Sequence, residues 1–141
     1  MTGPGLNTLT PCFQGIFPAS LYTVSLDGVP NVTFLSHVEY VDPSHVALSF
    51  QFFNKSRRNV MENPAASVIV HDTDTGQAWR LCLRYRRSET SGPLFDRMHL
   101  RIEAIASYSG LKGIFQLMAA DIYEVLEVEP VVEMGASPTL Q

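Results

Sequence analysis

The residues best equipped for chemistry are Lys55, Ser56, Arg57 and Arg58, which follow the apolar run Val46-Ala47-Leu48-Ser49-Phe50-Gln51-Phe52-Phe53 and stand where a helix is predicted to begin. The unpaired N–H groups of a helix start already carry partial positive charge, so each cation placed there costs up to about 1 kcal/mol. A phosphate docked on those N–H groups, with the Ser56 hydroxyl and the basic side chains as further donors, converts the repulsion into a binding site. The competing explanation is a solvated face that happens to be basic. Residues 1 to 54 contain no Lys or Arg, so the basic residues enter as a cluster and not as diffuse surface charge.

No other constellation of comparable chemistry stands out. Cys12 and Cys82 are isolated thiols without CxxC spacing, which points to small buried groups. His37, His45, His71 and His99 lack a ligand-type pattern, and no metal is expected. There is no Ser/His/Asp set or carboxylate pair to assign to catalysis, and the polar residues His37, Glu39 and Asp42 read as a surface loop. A period of two along residues 78 to 88 puts Arg80, Cys82, Arg84 and Arg86 on one face of a strand. That row is either a solvent face that discourages edge pairing or a hold for an anionic ligand.

The elements that must position these residues emerge from local signals. Residues 7 to 16 suit a short leading helix ended by Gly15 and Pro18. Ser20 to Leu26 alternates, reaches the turn dipeptide Asp27-Gly28, and returns as Val29 to Ser36. A loop at Val41-Asp42-Pro43-Ser44 precedes a strand from Val46 to Phe53, and a helix over 55 to 62 is stopped by Asn63-Pro64. Ser67 to His71 and Ala78 to Ser88 are predicted strands around a turn at Asp72 to Gly76. Helical spacing of Leu94, Phe95, Met98, Ile102, Ile105 and Ala106 predicts a helix over 92 to 108, closed by Gly110. A final strand, Ile114 to Leu126, leads into an acidic tail from Glu127. The expected division is one domain over residues 1 to 129, with 1 to 18 as a leading arm, and a disordered tail over 130 to 141.

With 141 residues, 45% apolar and 17% charged, the chain has the composition of a single soluble globular domain. A net charge of −4 argues against general nucleic-acid binding. No apolar stretch reaches membrane-spanning length and the N-terminus lacks a basic signal-peptide region, so a cytoplasmic protein without membrane partners is expected. Strands with a few inserted helices predict an antiparallel barrel of about six strands.

In this order and spacing the hairpin Ser20 to Ser36, the strand and helix Leu48-Ser49-Phe50-Gln51-Phe52-Phe53-Asn54-Lys55-Ser56-Arg57-Arg58-Asn59-Val60, and the following Asn63-Pro64 resemble the FMN-binding split-barrel superfamily of pyridoxamine 5′-phosphate oxidase-like proteins. The resemblance runs from about Gly15 to Glu129 and implies a mainly β, six-stranded antiparallel split barrel that binds FMN as a homodimer. It further implies ring and ribityl contacts at Asn31, Val32, Thr33, Ser36, Ser49 and Phe50, phosphate contacts at Lys55 and Ser56 with Arg57 and Arg58 adjacent, and a polar ring contact from Gln77 or Arg80. The expected activity is an FMN-dependent oxidoreductase acting on a small organic or electron-carrier substrate. A non-catalytic FMN sensor or reservoir, or a relative using deazaflavin or haem, is the alternative. Oxidation of a vitamin B6 phosphate is not expected, since the family's basic and aromatic C-terminal segment is replaced here by Val131-Val132-Glu133-Met134-Gly135.

Overall fold

The computed structural model describes residues 2–14, 17–50, 55–108 and 116–132. Seven strands form one sheet: β1 (Ala19–Val24), β2 (Pro30–Leu35), β3 (Val38–Asp42), β4 (His45–Phe50), β5 (Ala65–His71), β6 (Ala78–Glu89) and β7 (Ala119–Pro130). Helix α1 (Lys55–Glu62) comes after β4, and α2 (Pro93–Tyr108) lies between β6 and β7. The predicted leading helix is two short 3₁₀ helices, Leu6–Thr8 and Thr10–Phe13. Gly15, Gln51 to Asn54, Gly110 and Ile114 lie outside the described residues.

The strand order is β2-β1-β5-β6-β7-β4-β3, with every pairing antiparallel. This order forces curvature. β2 and β3 are the two outermost strands, yet only Ser36 and His37 connect them. Three Cα steps from Leu35 to Val38 reach at most about 11 Å, whereas six strand spacings of about 4.8 Å set the edges of a flat sheet roughly 29 Å apart. The sheet therefore curls until its edges approach, giving a barrel that is split between β2 and β3, where no ladder pairs them.

Two cores result. Leu21, Leu48, Val60, Val68, Leu81, Leu83, Tyr123 and Val125 belong to the interior cluster, while Ala47, Met98, Leu117, Ala120 and Ile122 pack together under α2 on the other face of β4 and β7. Residues 46 to 50 are buried on both faces because α2 covers the second.

Two irregularities reset the alternation. The register between β6 and β7 shifts between Cys82 and Leu83 and again between Tyr85 and Arg87. An extra residue in one strand moves the residues beyond it to the opposite face. Hence Val125 and Val128 are both buried with an exposed Leu126 between them, and Ser88 joins Tyr85 on the inner side.

Other expectations need adjustment. The described residues form seven strands and not six, because Val38–Asp42 is a strand and only Pro43-Ser44 forms the turn. The last strand begins at Ala119 and continues to Pro130, so Glu127 and Glu129, read as tail, pair with Cys82 and Arg80 across the ladder. No helix among the described residues is long and apolar enough to cross a membrane.

Candidate functional site

The basic cluster occupies the first turn of α1, as its spacing predicts, and no acidic residue stands in that turn. The helix docks by one polar-edged face: Ser56, Asn59 and Val60, at spacings of three and four, are buried. Asn31 Nδ2 on β2 donates to Ser56 Oγ at 2.6 Å, and Asn59 Nδ2 donates to Thr23 Oγ1 on β1 at 3.1 Å. Asn63, just past the helix, donates from Nδ2 to the Val24 carbonyl at 3.2 Å. Three amides thus fasten α1 to the β1–β2 hairpin.

The four clustered side chains take different directions. Lys55 and Arg58 are exposed, and Lys55 has no carboxylate partner among the described residues. Ser56 is turned inward. Arg57 reaches into the end of the barrel, where Nε lies 3.2 Å from Asp121 Oδ2 and Nη2 donates to Ser88 Oγ at 3.0 Å. Its guanidinium sits 4.2 Å from the centre of the Phe50 ring. Ser88 Oγ donates to Asp121 Oδ1 at 2.6 Å, which leaves Tyr85 as the donor in its 2.6 Å bond to the same hydroxyl. Burial, and then the Asp121 charge, push the neighbouring Tyr123 hydroxyl well above its ordinary pKa, so it stays protonated.

The remaining predicted contacts fall into separate groups. Along β2 the alternation separates Asn31 and Thr33, on the α1 side, from Val32, which is exposed on the outer face. Ser36 lies at the crossing between the barrel edges. Ser49 Oγ donates to the His37 carbonyl at 3.3 Å, so β4 is tied to that crossing beside Phe50. Gln77 and Arg80 lie at the opposite end of β6 from Ser88: Gln77 Nε2 donates to the Ala78 and Val131 carbonyls, and Arg80 Nε to Glu129 Oε1 at 2.6 Å. The structure therefore brings Asn31 and Ser56 into contact, and Phe50 against Arg57, and leaves Gln77 and Arg80 apart from both.

On the outer face, Tyr22, Val24, Val32, Ser67, Cys82 and Leu126 are among the residues that line an open groove of ≈ 410 Å³. Beside it Leu26, Val29 and Phe34 stand exposed, Phe34 by 75%. Neither thiol is activated. Burial and then Asp72 push Cys12 up to about 12, while burial and then Glu127 raise Cys82.

Sequence reasoning placed His37 and Glu39 on a surface loop, and the structure corrects this: both are buried. His37 Nε2 is 2.6 Å from Glu39 Oε1, and Arg97 and Arg101 of α2 reach the same carboxylate at 2.8 and 3.3 Å. Burial raises the Glu39 carboxyl, but the His37 hydrogen bond and the flanking charges more than reverse that, so it sits below its ordinary range. His37 Nδ1 is the one buried side-chain nitrogen or oxygen among the described residues without a hydrogen-bond partner.

The residues that sequence reasoning missed are Thr23, Asn59, Ser88 and Asp121. Asp121 carried a usable signal: it is a lone carboxylate inside the otherwise apolar segment Leu117 to Tyr123, and such a residue requires a partner. Ser88 carried none, because a bulge decides its face.

The donor set fits a phosphate monoester: an ammonium group without a carboxylate partner among the described residues and a second exposed cation, both at the positive end of a helix dipole. No protein-family model matches the sequence, and no curated protein matches it. Solved structures do match. An FMN-binding protein from Syntrophomonas wolfei subsp. wolfei superposes with a TM-score of 0.72 at 18% identity, over 92% of this chain and 89% of that one. HupZ of Group A Streptococcus superposes at 0.65 and 16% identity over 93% and 94%, and an F420 reductase at 0.62 and 13% over 92% and 98%. The chain therefore has the split-barrel fold of the pyridoxamine 5′-phosphate oxidase-like proteins.

Proposed function

We propose that this protein is a homodimeric FMN-binding flavoprotein that acts as an oxidoreductase on a small organic or electron-carrier substrate. The observation that carries the proposal is the acid-free first turn of α1, with Lys55 and Arg58 exposed and the Asn31–Ser56 bond beside them, in a fold shared with an FMN-binding protein. In this reading Lys55, Arg58 and the positive end of α1 hold the phosphate, the buried Ser56 fastens that turn to β2 through Asn31, and β2 with Ser36, Ser49 and Phe50 lines the ring. β2 is an edge strand, so its outward backbone groups are available to a ring whose rim is polar. FMN supplies the hydride or electron transfer itself, which asks the protein only for orientation, hydrogen bonds and exclusion of water.

The exposed apolar hairpin side chains Val24, Leu26, Val29, Val32 and Phe34 support a second copy of the chain as the partner that covers this face. Free cysteines fit the reducing cytoplasm, where we place the protein.

The second reading is a binding module without turnover, since a bound FMN asks for no titratable protein group and binding alone supplies no electron acceptor. The likeness to an F420 reductase makes a deazaflavin the alternative cofactor. The absorbance spectrum of freshly purified protein separates these cofactors. Two visible bands with FMN released on denaturation support the proposal, while a protein that neither retains nor takes up FMN overturns it. Photoreduced FMN that no small acceptor reoxidises assigns the module instead of the enzyme.

A further inference from the structure

We propose that Asp121 is a positioning residue of the flavin site, which draws Arg57 away from the phosphate, stacks it behind Phe50, and sets the charge at the ring. The inference rests on the proposed function and goes beyond it by giving Arg57 and Asp121 a role at the ring.

Asp121 is 4% exposed and points inward from β7 toward Tyr123 and Leu48, surroundings that would exclude a carboxylate without partners. Its partners come from two other elements: Arg57 from α1, and Ser88, which the bulge in β6 turns inward. Arg57 has near neighbours for comparison. Lys55 and Arg58 extend to the surface from the same turn, whereas the part-buried Arg57 is held toward the barrel by Asp121, by Ser88 and by the Phe50 ring face. A guanidinium over one face of Phe50 leaves only the edge or the opposite face for a ligand ring. Arg57 therefore supports the ring wall from behind and does not extend toward the phosphate cations.

The pair also has an electrostatic role. Reduction adds negative charge to a bound flavin, and a cation behind the ring wall favours the reduced form while Asp121 offsets that cation. Removing Asp121 alone leaves Arg57 uncompensated; removing Arg57 alone does the reverse.

The test compares FMN and riboflavin affinity and the midpoint potential of bound FMN in the wild type, Asp121→Asn, Arg57→Gln and the double variant. Asp121→Asn is expected to move the potential positive, Arg57→Gln negative, and the double variant back toward the wild type. Arg57→Gln is expected to weaken FMN and riboflavin by similar factors, since it acts on the ring wall, whereas Lys55→Ala weakens FMN alone. Should Asp121→Asn fail to fold, Arg57→Gln and the double variant still differ by the Asp121 charge only, and the double must have the more positive potential. Equal potentials in all flavin-loaded variants overturn the proposal, as does a loss of FMN affinity with riboflavin binding unchanged in Arg57→Gln. A wild type that binds no flavin fails the functional reading first, and this inference with it.

Discussion

The first turn of α1 and the arginine row of β6 are equally basic in the sequence, and the fold treats them in opposite ways. On β6 three of the four arginines have a carboxylate within reach: Arg80 pairs with Glu129, Arg86 with Glu124 and Arg87, on the other side of the sequence alternation, with Glu89, while Arg84 has no ion pair among the described residues. Two of those carboxylates lie on β7, delivered by the antiparallel register. On α1 the acidic partner of Arg57 is inside the barrel, and Lys55 has no carboxylate partner among the described residues. Charge that is matched across a ladder belongs to the scaffold. An ammonium group left unmatched at a helix start is available to a ligand.

The largest effect that would sharpen this contrast is on FMN affinity. Replacing Lys55 or Arg58 by Ala removes a charge-assisted hydrogen bond worth about 1.5 to 3 kcal/mol, a loss of at least about tenfold per residue in a flavin titration. The free protein should melt no earlier, since a cation has left the positive end of a helix. Equal destabilisation with and without FMN, and unchanged affinity, would return these residues to the solvated face.

Glu39 tests the opposite extreme, a carboxylate matched by two arginines. Glu39→Ala should cost about 2 to 3 kcal/mol in denaturant unfolding at neutral pH, because it strands Arg97, Arg101 and the buried imidazole, with the loss moderated by the exposure of both arginines. The folded-state pKa lies below the ordinary 4.5, so ionised Glu39 stabilises the fold above that value, and the contribution is lost as pH falls through the folded-state pKa. Glu39→Gln should therefore be less stable at neutral pH and show a flatter stability profile below about 4.5. A wild-type profile that is already flat there refutes the assignment.

Asn31→Ala should destabilise by about 1 kcal/mol, since the Ser56 hydroxyl it leaves behind is 1% exposed. Melting temperature measures this. The smallest effect is expected at Arg80→Ala, whose pair with Glu129 is largely exposed: under about 1 kcal/mol in stability, with FMN affinity and potential unchanged. A more negative potential in Arg80→Ala would break the comparison and make β6 part of the flavin site.

Much of the scaffold was legible. The β1–β2 hairpin was readable from alternation and from Asp27-Gly28, where Gly28 takes a φ of 84°. Both helices were found, α1 from Lys55 to Glu62 with the limits that Asn63-Pro64 predicts. β3 was not legible, because Glu39 interrupts its apolar face and its arginine partners arrive from α2, some sixty residues on. The end of β7 was hidden for a related reason: Glu127 and Glu129 look like a solvated tail until β6 pairs them.

The sequence by itself determined the local features of this protein: the hairpin, the helix starts and stops, and a cation cluster in the first turn of α1. These depend on neighbours within a few residues, where backbone sterics and the helix dipole act. Only the tertiary structure decided which of those cations face outward and which is held by Asp121, and on which side Ser88 lies. Such matters depend on strand register, and a single bulge reverses the face of every residue beyond it without a mark in the local sequence.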